Sequence, residues 1–188
     1  MRQNNKMRPS PSTYIQAARE AVNYVKNAMP YGSVNNAGDW VSKSFVGPFI
    51  SAYKQFHGYR DGILPELKEL SKTAASLPQE ERNLIMVEVW AKHARKMRAG
   101  NCALQAALAF DFLRKEKKMF PLEMMQFRHK NHGFVILGRP ADTDLENFAD
   151  WTKDAILCDP WRHDVGLAGQ LVTWFQETKV DLVCRVEA

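Results

Sequence analysis

The spacing of hydrophobic residues divides the chain into a helical first half and a second half of short apolar runs. In the first half, apolar positions recur every three or four residues, as they do on one face of an amphipathic helix. This pattern predicts helices over residues 13–29, 40–56, 64–75 and 79–97. Ser12 is the expected cap of the first helix, and the Gly-containing segment HGYRDG, at 57–62, is the expected loop before the third.

The second half begins at Gly100-Asn101 and has a different character. GNCALQAALAFDFL predicts one buried helix starting at Cys102. Four apolar runs follow that are typical of strands, at residues 122–129, 133–139, 154–159 and 180–186. Because these strands are short and consecutive, we expect a mainly antiparallel sheet. Helices followed by one helix facing several strands indicate an α+β fold.

The domain organisation follows from this division. Residues 1–12 are polar with two prolines and are expected to form a flexible tail. Residues 13–98 form a helical region that either packs on the core or precedes it, and residues 99–188 form the core with the cysteine helix and the sheet. A single domain over 13–188 is the alternative, because 188 residues suffice for one hydrophobic core.

Composition excludes several classes of protein. With 45% hydrophobic and 25% charged residues the chain is an ordinary globular one, and no apolar run approaches the roughly 18 residues of a membrane span. The opening MRQNNKMRPSPS lacks the apolar stretch of a general secretory signal. Three cysteines without a CxxC spacing predict free thiols in a reducing compartment, with neither a disulfide framework nor a zinc site. We expect no metal, no cofactor and no nucleic-acid partner.

Cys102 is the first candidate for chemistry. A cysteine at a helix start lies near unpaired backbone N–H groups and the positive end of the helix dipole, and both stabilise a thiolate. The same N–H groups can hold the oxyanion of a tetrahedral intermediate. Taken alone, a cysteine beside a Gly-Asn turn is more often a packed small residue than a nucleophile.

His132 and Asp159 complete the pattern. His132 stands directly before an apolar strand with Gly133 beside it, a position from which an imidazole can act as a base; His129 is the competing histidine. Asp159 ends the strand DAILCD, and Pro160 favours an extended conformation for it. Nucleophile, base and orienting carboxylate in this chain order form a Cys-His-Asp set of the papain-like type. Cys158, Cys184 and His163 we interpret as structural or surface residues.

The pattern GNC, NHGFVILG and DAILCDPW, over residues 99–165, resembles the cysteine hydrolase superfamily with a papain-like fold found in bacterial effectors and toxins. Examples are the YopT-type effector peptidases and the deamidase domain of the Pasteurella multocida toxin. The resemblance implies Cys102 as nucleophile, His132 as base and Asp159 as the orienting acid. Lys96 stands where papain-type enzymes carry an oxyanion-hole glutamine, which makes Asn101 or Gln105 the candidate for that role; Trp161 is expected to line the site.

The function that follows is hydrolysis of a protein amide, with glutamine deamidation slightly preferred over peptide cleavage and acyl transfer. These reactions share their first steps and differ in which amide enters and what resolves the thioester. Such a protein would act in the cytoplasm of its producer or, as a virulence factor, in a host cytosol reached by a specialised secretion system. The opposing hypothesis is a non-enzymatic helical adaptor. It would bind an acidic protein or an anionic membrane through the basic segments 92–98 and 114–118.

Overall fold

Three helices cover one face of a five-stranded antiparallel sheet in the computed structural model, which describes residues 8–33, 47–128, 132–151, 154–171 and 179–188. The helices are α1 Pro11–Ala28, α2 Gly47–Gly58, α3 Leu64–Thr73, α4 Gln79–Met97 and α5 Cys102–Lys115. The strands are β1 Leu122–Phe127, β2 His132–Leu137, β3 Ile156–Asp159, β4 Asp164–Leu167 and β5 Val180–Val186. The α+β prediction is confirmed.

Helix α1 begins two residues earlier than the sequence pattern suggested. The Ser10 side chain accepts a hydrogen bond of 3.2 Å from the Thr13 backbone N–H, and Pro11 occupies the first helical position, where its missing N–H costs nothing. The expectation that Ser12 caps the helix is therefore wrong, since Ser10 stands three residues before the N–H that a cap satisfies. The flexible tail predicted over residues 1–12 is wrong at its end, because Pro11 and Ser12 belong to α1. Residues 1–7 lie outside the described residues.

The loop expected at 57–62 is also wrong. Helix α2 continues through a π-helical turn, Tyr59–Ile63, directly into α3. Both glycines of this stretch lie against α4, where a Cβ at Gly58 would collide with Met97 and one at Gly62 would lie 2.6 Å from the His93 ring. The glycines therefore serve close helix packing instead of a chain break. Residues 40–46 of the helix predicted over 40–56 lie outside the described residues.

The sheet has the strand order β4-β3-β2-β1-β5, and every neighbouring pair is antiparallel. The prediction of a mainly antiparallel sheet is confirmed. Four of the strands were predicted within a few residues of their bounds. The edge strand β4 was not, because its four residues DVGL are too short and too mixed in polarity to show a strand pattern.

The two faces of the sheet bury different apolar clusters. On one face, Val135, Leu137 and Cys158 pack with residues of α1, α4 and α5. On the other, Phe134, Ile136 and Leu157 pack with side chains of the 145–155 segment and with Ala168. Because side chains alternate along a strand, His132 shares the face of Phe134, whereas Gly133 faces the helices. Among the described residues, no helix is both long enough and apolar enough to cross a membrane.

Candidate active site

Three side chains from three elements meet at one end of the sheet. Cys102 is the first residue of α5, His132 the first residue of β2 and Asp159 the last residue of β3. All three are buried, with exposed fractions of 8%, 7% and 3%. A charged or polar group is buried only when it is paired, so the partners of each side chain decide what the cluster can do.

The Asp159 carboxylate is fixed by three hydrogen bonds. Its Oδ2 lies 2.6 Å from His132 Nε2, while its Oδ1 accepts from the backbone N–H groups of Trp161 and Arg162, each at 3.1 Å. The turn after β3 thus folds back on the carboxylate that ends the strand, an arrangement that aspartate side chains favour. One oxygen is held by the backbone and the other is left to orient the imidazole.

His132 also forms a side-chain hydrogen bond with Cys102. Since Asp159 occupies Nε2, Nδ1 is the ring nitrogen that remains for the thiol. The Cys102 sulfur accepts further hydrogen bonds from the backbone N–H groups of Gly133 and Ala103. The structure thus brings together Cys102, His132 and Asp159, the three side chains that the sequence singled out.

These contacts lower the pKa of the Cys102 thiol and raise the pKa of the His132 imidazole, which favours an ion pair between them. Burial opposes charge on Cys102, but the hydrogen bonds from His132, Gly133 and Ala103 outweigh it and lower the pKa of the thiol below its ordinary value. Burial likewise opposes charge on His132, yet the hydrogen bonds to Asp159 and Cys102 raise its pKa to about 9. The two shifts favour a thiolate beside an imidazolium, the reactive form of a nucleophilic cysteine.

Gly133 brings the helix and the strand together. A Cβ at this position would lie 3.1 Å from Ala103 Cα and 3.6 Å from Ala106 Cβ. Only glycine therefore lets the first turn of α5 rest directly on the start of β2. Cys102 lies on the helical face of the sheet, whereas the His132 side chain starts from the opposite face. The close approach of α5 to β2 brings the Cys102 sulfur near enough to contact the imidazole.

Aromatic side chains surround the imidazole. The Trp161 ring lies edge-on to His132 with 5.1 Å between ring centroids, and the Phe127 ring stacks on His132 at 6.0 Å. The rings limit the access of water to His132 and hold it in one orientation. Trp161, which the sequence suggested as a residue of the site, thus lies beside the imidazole.

The two candidate oxyanion donors have structural partners. Asn101 caps α5, its Oδ1 accepting from Leu104 N–H at 3.1 Å, so that its amide nitrogen is the group left to act as a donor. Gln105 is buried, and its amide nitrogen donates to the Gly100 carbonyl at 3.0 Å. The hydrogen-bond partners therefore favour Asn101 over Gln105 as the donor. Lys96 is an exposed residue in the last turn of α4.

The remaining cysteines differ from Cys102. Cys158 is fully buried and its thiol donates to the Ala18 carbonyl at 3.6 Å; burial raises its pKa above the ordinary value. Burial raises the pKa of Cys184 to about 12. Both are core residues, as the sequence indicated.

Two of the other histidines, His57 and His93, lie away from the triad. His57 contacts Asp61 at 3.2 Å and His93 contacts Glu66 at 2.8 Å, both within the helical half. His163 is exposed. His129, the competing base, lies outside the described residues. Within the described ranges, no group of three or more His, Cys, Asp or Glu side chains is arranged to hold a metal ion.

Sequence reasoning missed the backbone donors of the site. The N–H of Gly133 on the thiol and the N–H groups of Trp161 and Arg162 on the carboxylate are invisible to a search for reactive side chains. The sequence pairs His132-Gly133 and Asp159-Pro160 indicated part of this arrangement. A glycine after the histidine and a proline after the aspartate both indicate a constrained backbone at these positions. Comparison with protein-family models, curated proteins and solved structures found no match.

Proposed function

We propose that the protein is a cysteine-dependent amide hydrolase with a papain-like fold, in which Cys102 is the nucleophile, His132 the general acid and base, and Asp159 the orienting carboxylate. The observation that carries the proposal is the hydrogen-bonded chain from the Cys102 thiol through His132 to Asp159. Structural ion pairs also shift pKa values. A thiol at a helix start linked to an imidazole and a carboxylate is, however, the arrangement that nucleophilic catalysis requires.

The chemistry proceeds by two acyl-transfer steps. The Cys102 thiolate attacks the amide carbonyl, and the backbone N–H of Cys102, with a second donor such as the Asn101 amide, stabilises the oxyanion. His132 gives its proton to the leaving amine, which departs as ammonia or as a new amino terminus. His132 then takes a proton from water, whose oxygen displaces the thiol from the thioester, and the acid product leaves.

Access to the sulfur favours glutamine deamidation over peptide cleavage. Cys102 exposes only 8% of its surface, and Trp161 packs beside the imidazole. A terminal carboxamide on a flexible side chain enters such an opening end-on, whereas a peptide bond must bring chain on both sides of the scissile group. Peptide cleavage and transfer of the acyl group to an amine remain the alternatives, because they use the same first step. The effector or toxin setting belongs to the proposal through the resemblance alone.

The pairing of the basic segments weighs against the adaptor alternative. An adaptor for an acidic surface needs cations that are not neutralised by their own chain. Within 92–98 and 114–118, most of the basic side chains contact acidic groups of the same chain: Lys92, Arg95, Arg114, Lys115 and Lys117. These residues therefore support helix packing, and the charge presented to a partner is smaller than the sequence suggested.

Release of small products separates the candidate reactions. Desalted protein extracts from bacterial and eukaryotic cells are incubated with the wild-type protein, with Cys102→Ala and with Cys184→Ala as the matched cysteine control. Deamidation predicts free ammonia without new primary amines, and peptide cleavage predicts new primary amines. Either product should require Cys102 and be formed by Cys184→Ala. Equal release by wild type and Cys102→Ala contradicts the proposal.

A further inference from the structure

A cavity of about 350 Å³ lies between α1 and the turn that joins β3 to β4. Two of the residues that line it, Val22 and Val165, are apolar, and the others are basic or polar. The volume is at the lower end of the range for ligand pockets, which suits one or two side chains better than a large cofactor. The wall residues are Arg19, Asn23, Lys26 and His163.

The basic wall is built from one face of α1. Arg19, Asn23 and Lys26 are spaced by four and three residues, so they project from the same side of the helix. Among the described residues, none of the three has a hydrogen-bond or ion-pair partner, in contrast to the paired cations of α4 and α5. Arg19 and Lys26 stand two turns apart on this face, and two cations with no counter-charge among the described residues attract an anionic group placed between them.

His163 closes the opposite side of the cavity from a strained backbone position. Its φ of 63° places it in the left-handed region, which residues with a Cβ rarely adopt. Strain of this kind persists where the surrounding structure enforces it. Here the preceding residues, Trp161 and Arg162, are tied to the Asp159 carboxylate through their N–H groups. The same turn therefore fixes the catalytic carboxylate and one wall of the cavity.

Nearby acidic groups do not cancel the positive charge. Asp164, the residue after His163, contacts Arg162 Nε at 2.9 Å, and Asp159 is committed to His132. Within the described part of the chain, no acidic residue lines the cavity. The net charge of the walls is positive.

The cavity lies at the catalytic end of the sheet. Its His163 wall follows Asp159 by one turn, and the α1 wall leads to Met29, whose methyl group lies against Gly100, just before Cys102. A substrate segment held in the cavity would therefore be on the β4 side of the triad. A polypeptide whose amide reaches Cys102 can place a neighbouring side chain in the cavity.

We infer that this cavity binds an acidic side chain of the protein substrate, close in sequence to the amide that Cys102 attacks. Val22 and Val165 contact the methylene groups of a glutamate, while Arg19 and Lys26 bind its carboxylate. This inference rests on the proposed function, since it assigns the site its substrate class: a protein segment with acidic residues beside the target amide.

Binding tests the inference without turnover. The probe is a fluorescein-labelled heptapeptide with a central glutamine flanked by two glutamates, and the protein is Cys102→Ala, so that no product forms. Fluorescence polarisation measures the dissociation constant at low ionic strength, because salt screens such contacts. In this background, Arg19→Gln with Lys26→Gln should weaken binding by at least about tenfold, as expected for the loss of hydrogen bonds to a charged group.

The controls distinguish a specific pocket from general attraction. Lys68→Gln with Lys72→Gln removes the same charge from the exposed surface of α3 and should leave the affinity unchanged. A peptide with lysines in place of the glutamates should bind at least about tenfold more weakly. Equal losses from both double variants, equal binding of the two peptides, or no binding of the acidic peptide would overturn the inference.

A competition arm separates a peptide site from a small-anion site. Inorganic phosphate should displace the peptide only at concentrations far above those of the unlabelled peptide, because it lacks the contacts of the flanking chain. Displacement at equal concentrations would assign the cavity to a small anion and overturn the inference. Absence of turnover together with selective peptide binding would count against the proposed function alone.

Discussion

Replacing Gly133 by alanine tests how the site is assembled without touching a reactive group. The added Cβ would lie 3.1 Å from Ala103 Cα, a backbone atom in the first turn of α5. A flexible side chain cannot swing away to relieve this contact. The start of α5 must therefore shift from β2 by a few tenths of an ångström, carrying Cys102 away from His132.

The magnitude follows from packing and geometry. Overpacking a tight contact costs about 1–3 kcal/mol, and the smaller backbone entropy of alanine offsets up to about 1 kcal/mol. The difference is a loss of about 0–3 kcal/mol in the free energy of unfolding, with a central value of about 1.5 kcal/mol. A displacement of about 1 Å at a reacting group costs roughly 100-fold in rate. A shift of a few tenths of an ångström should therefore lower the rate at which the Cys102 thiol reacts about three- to tenfold.

The assay measures two quantities for each variant. Urea unfolding gives the stability, and the rate of carbamidomethylation by iodoacetamide at about pH 6, read by peptide mapping, gives the reactivity of Cys102. Gly166→Ala is the matched control, because a Cβ at Gly166 meets nothing within 4 Å, and it should change neither quantity by much. If Gly133→Ala is as stable and as reactive as wild type, the close approach of α5 to β2 does not position the thiol.

Four further predictions concern the triad. In the folded protein, iodoacetamide at about pH 6 should label Cys102 well before Cys158 or Cys184, because only the pKa of Cys102 is lowered; equal slow labelling contradicts this. Cys102→Ala should change stability by only about 1 kcal/mol while abolishing product release. Asp159→Asn should keep the fold yet slow the reaction roughly 10²- to 10⁴-fold, and a rate near that of wild type would remove the orienting role. Because the pKa of His132 rises from 6.5 to about 9 in the fold, its stabilising contribution is complete below pH 6.5 and is lost as the pH rises through 9; urea unfolding across this window should show the loss, and Asp159→Asn should reduce it.

The architecture of the second half could be predicted because the apolar residues there follow regular patterns. Alternating or continuous apolar runs predicted β1, β2, β3 and β5, and their chain order predicted antiparallel pairing. The grouping of Cys102, His132 and Asp159 was predictable for a related reason. Each of the three side chains stands at the end of an element, where a break in the pattern marks it, as for Cys102 after Gly100-Asn101.

Features that depend on distant packing were not predictable. Glycines at 58 and 62 resemble a loop, and only the proximity of Met97 and His93 explains why they lie in helical turns. The buried carboxylate of Glu123 pairs with Arg139 at 2.6 Å and with Arg185 at 2.5 Å. These residues stand in β1, after β2 and in β5, and no local pattern in the sequence connects them.

The most direct test of the account is the transfer of solvent oxygen to a protein amide by Cys102. Desalted protein extracts are incubated in ¹⁸O-labelled water with wild type or with Cys102→Ala, then digested in ordinary water and mapped by mass spectrometry. The account predicts glutamines converted to glutamates that carry one ¹⁸O, about 3 mass units heavier than the amide, only with wild type, since water resolves the thioester. Labelled sites that appear equally with Cys102→Ala, or no ¹⁸O-labelled side chain or chain terminus that depends on Cys102, would contradict it.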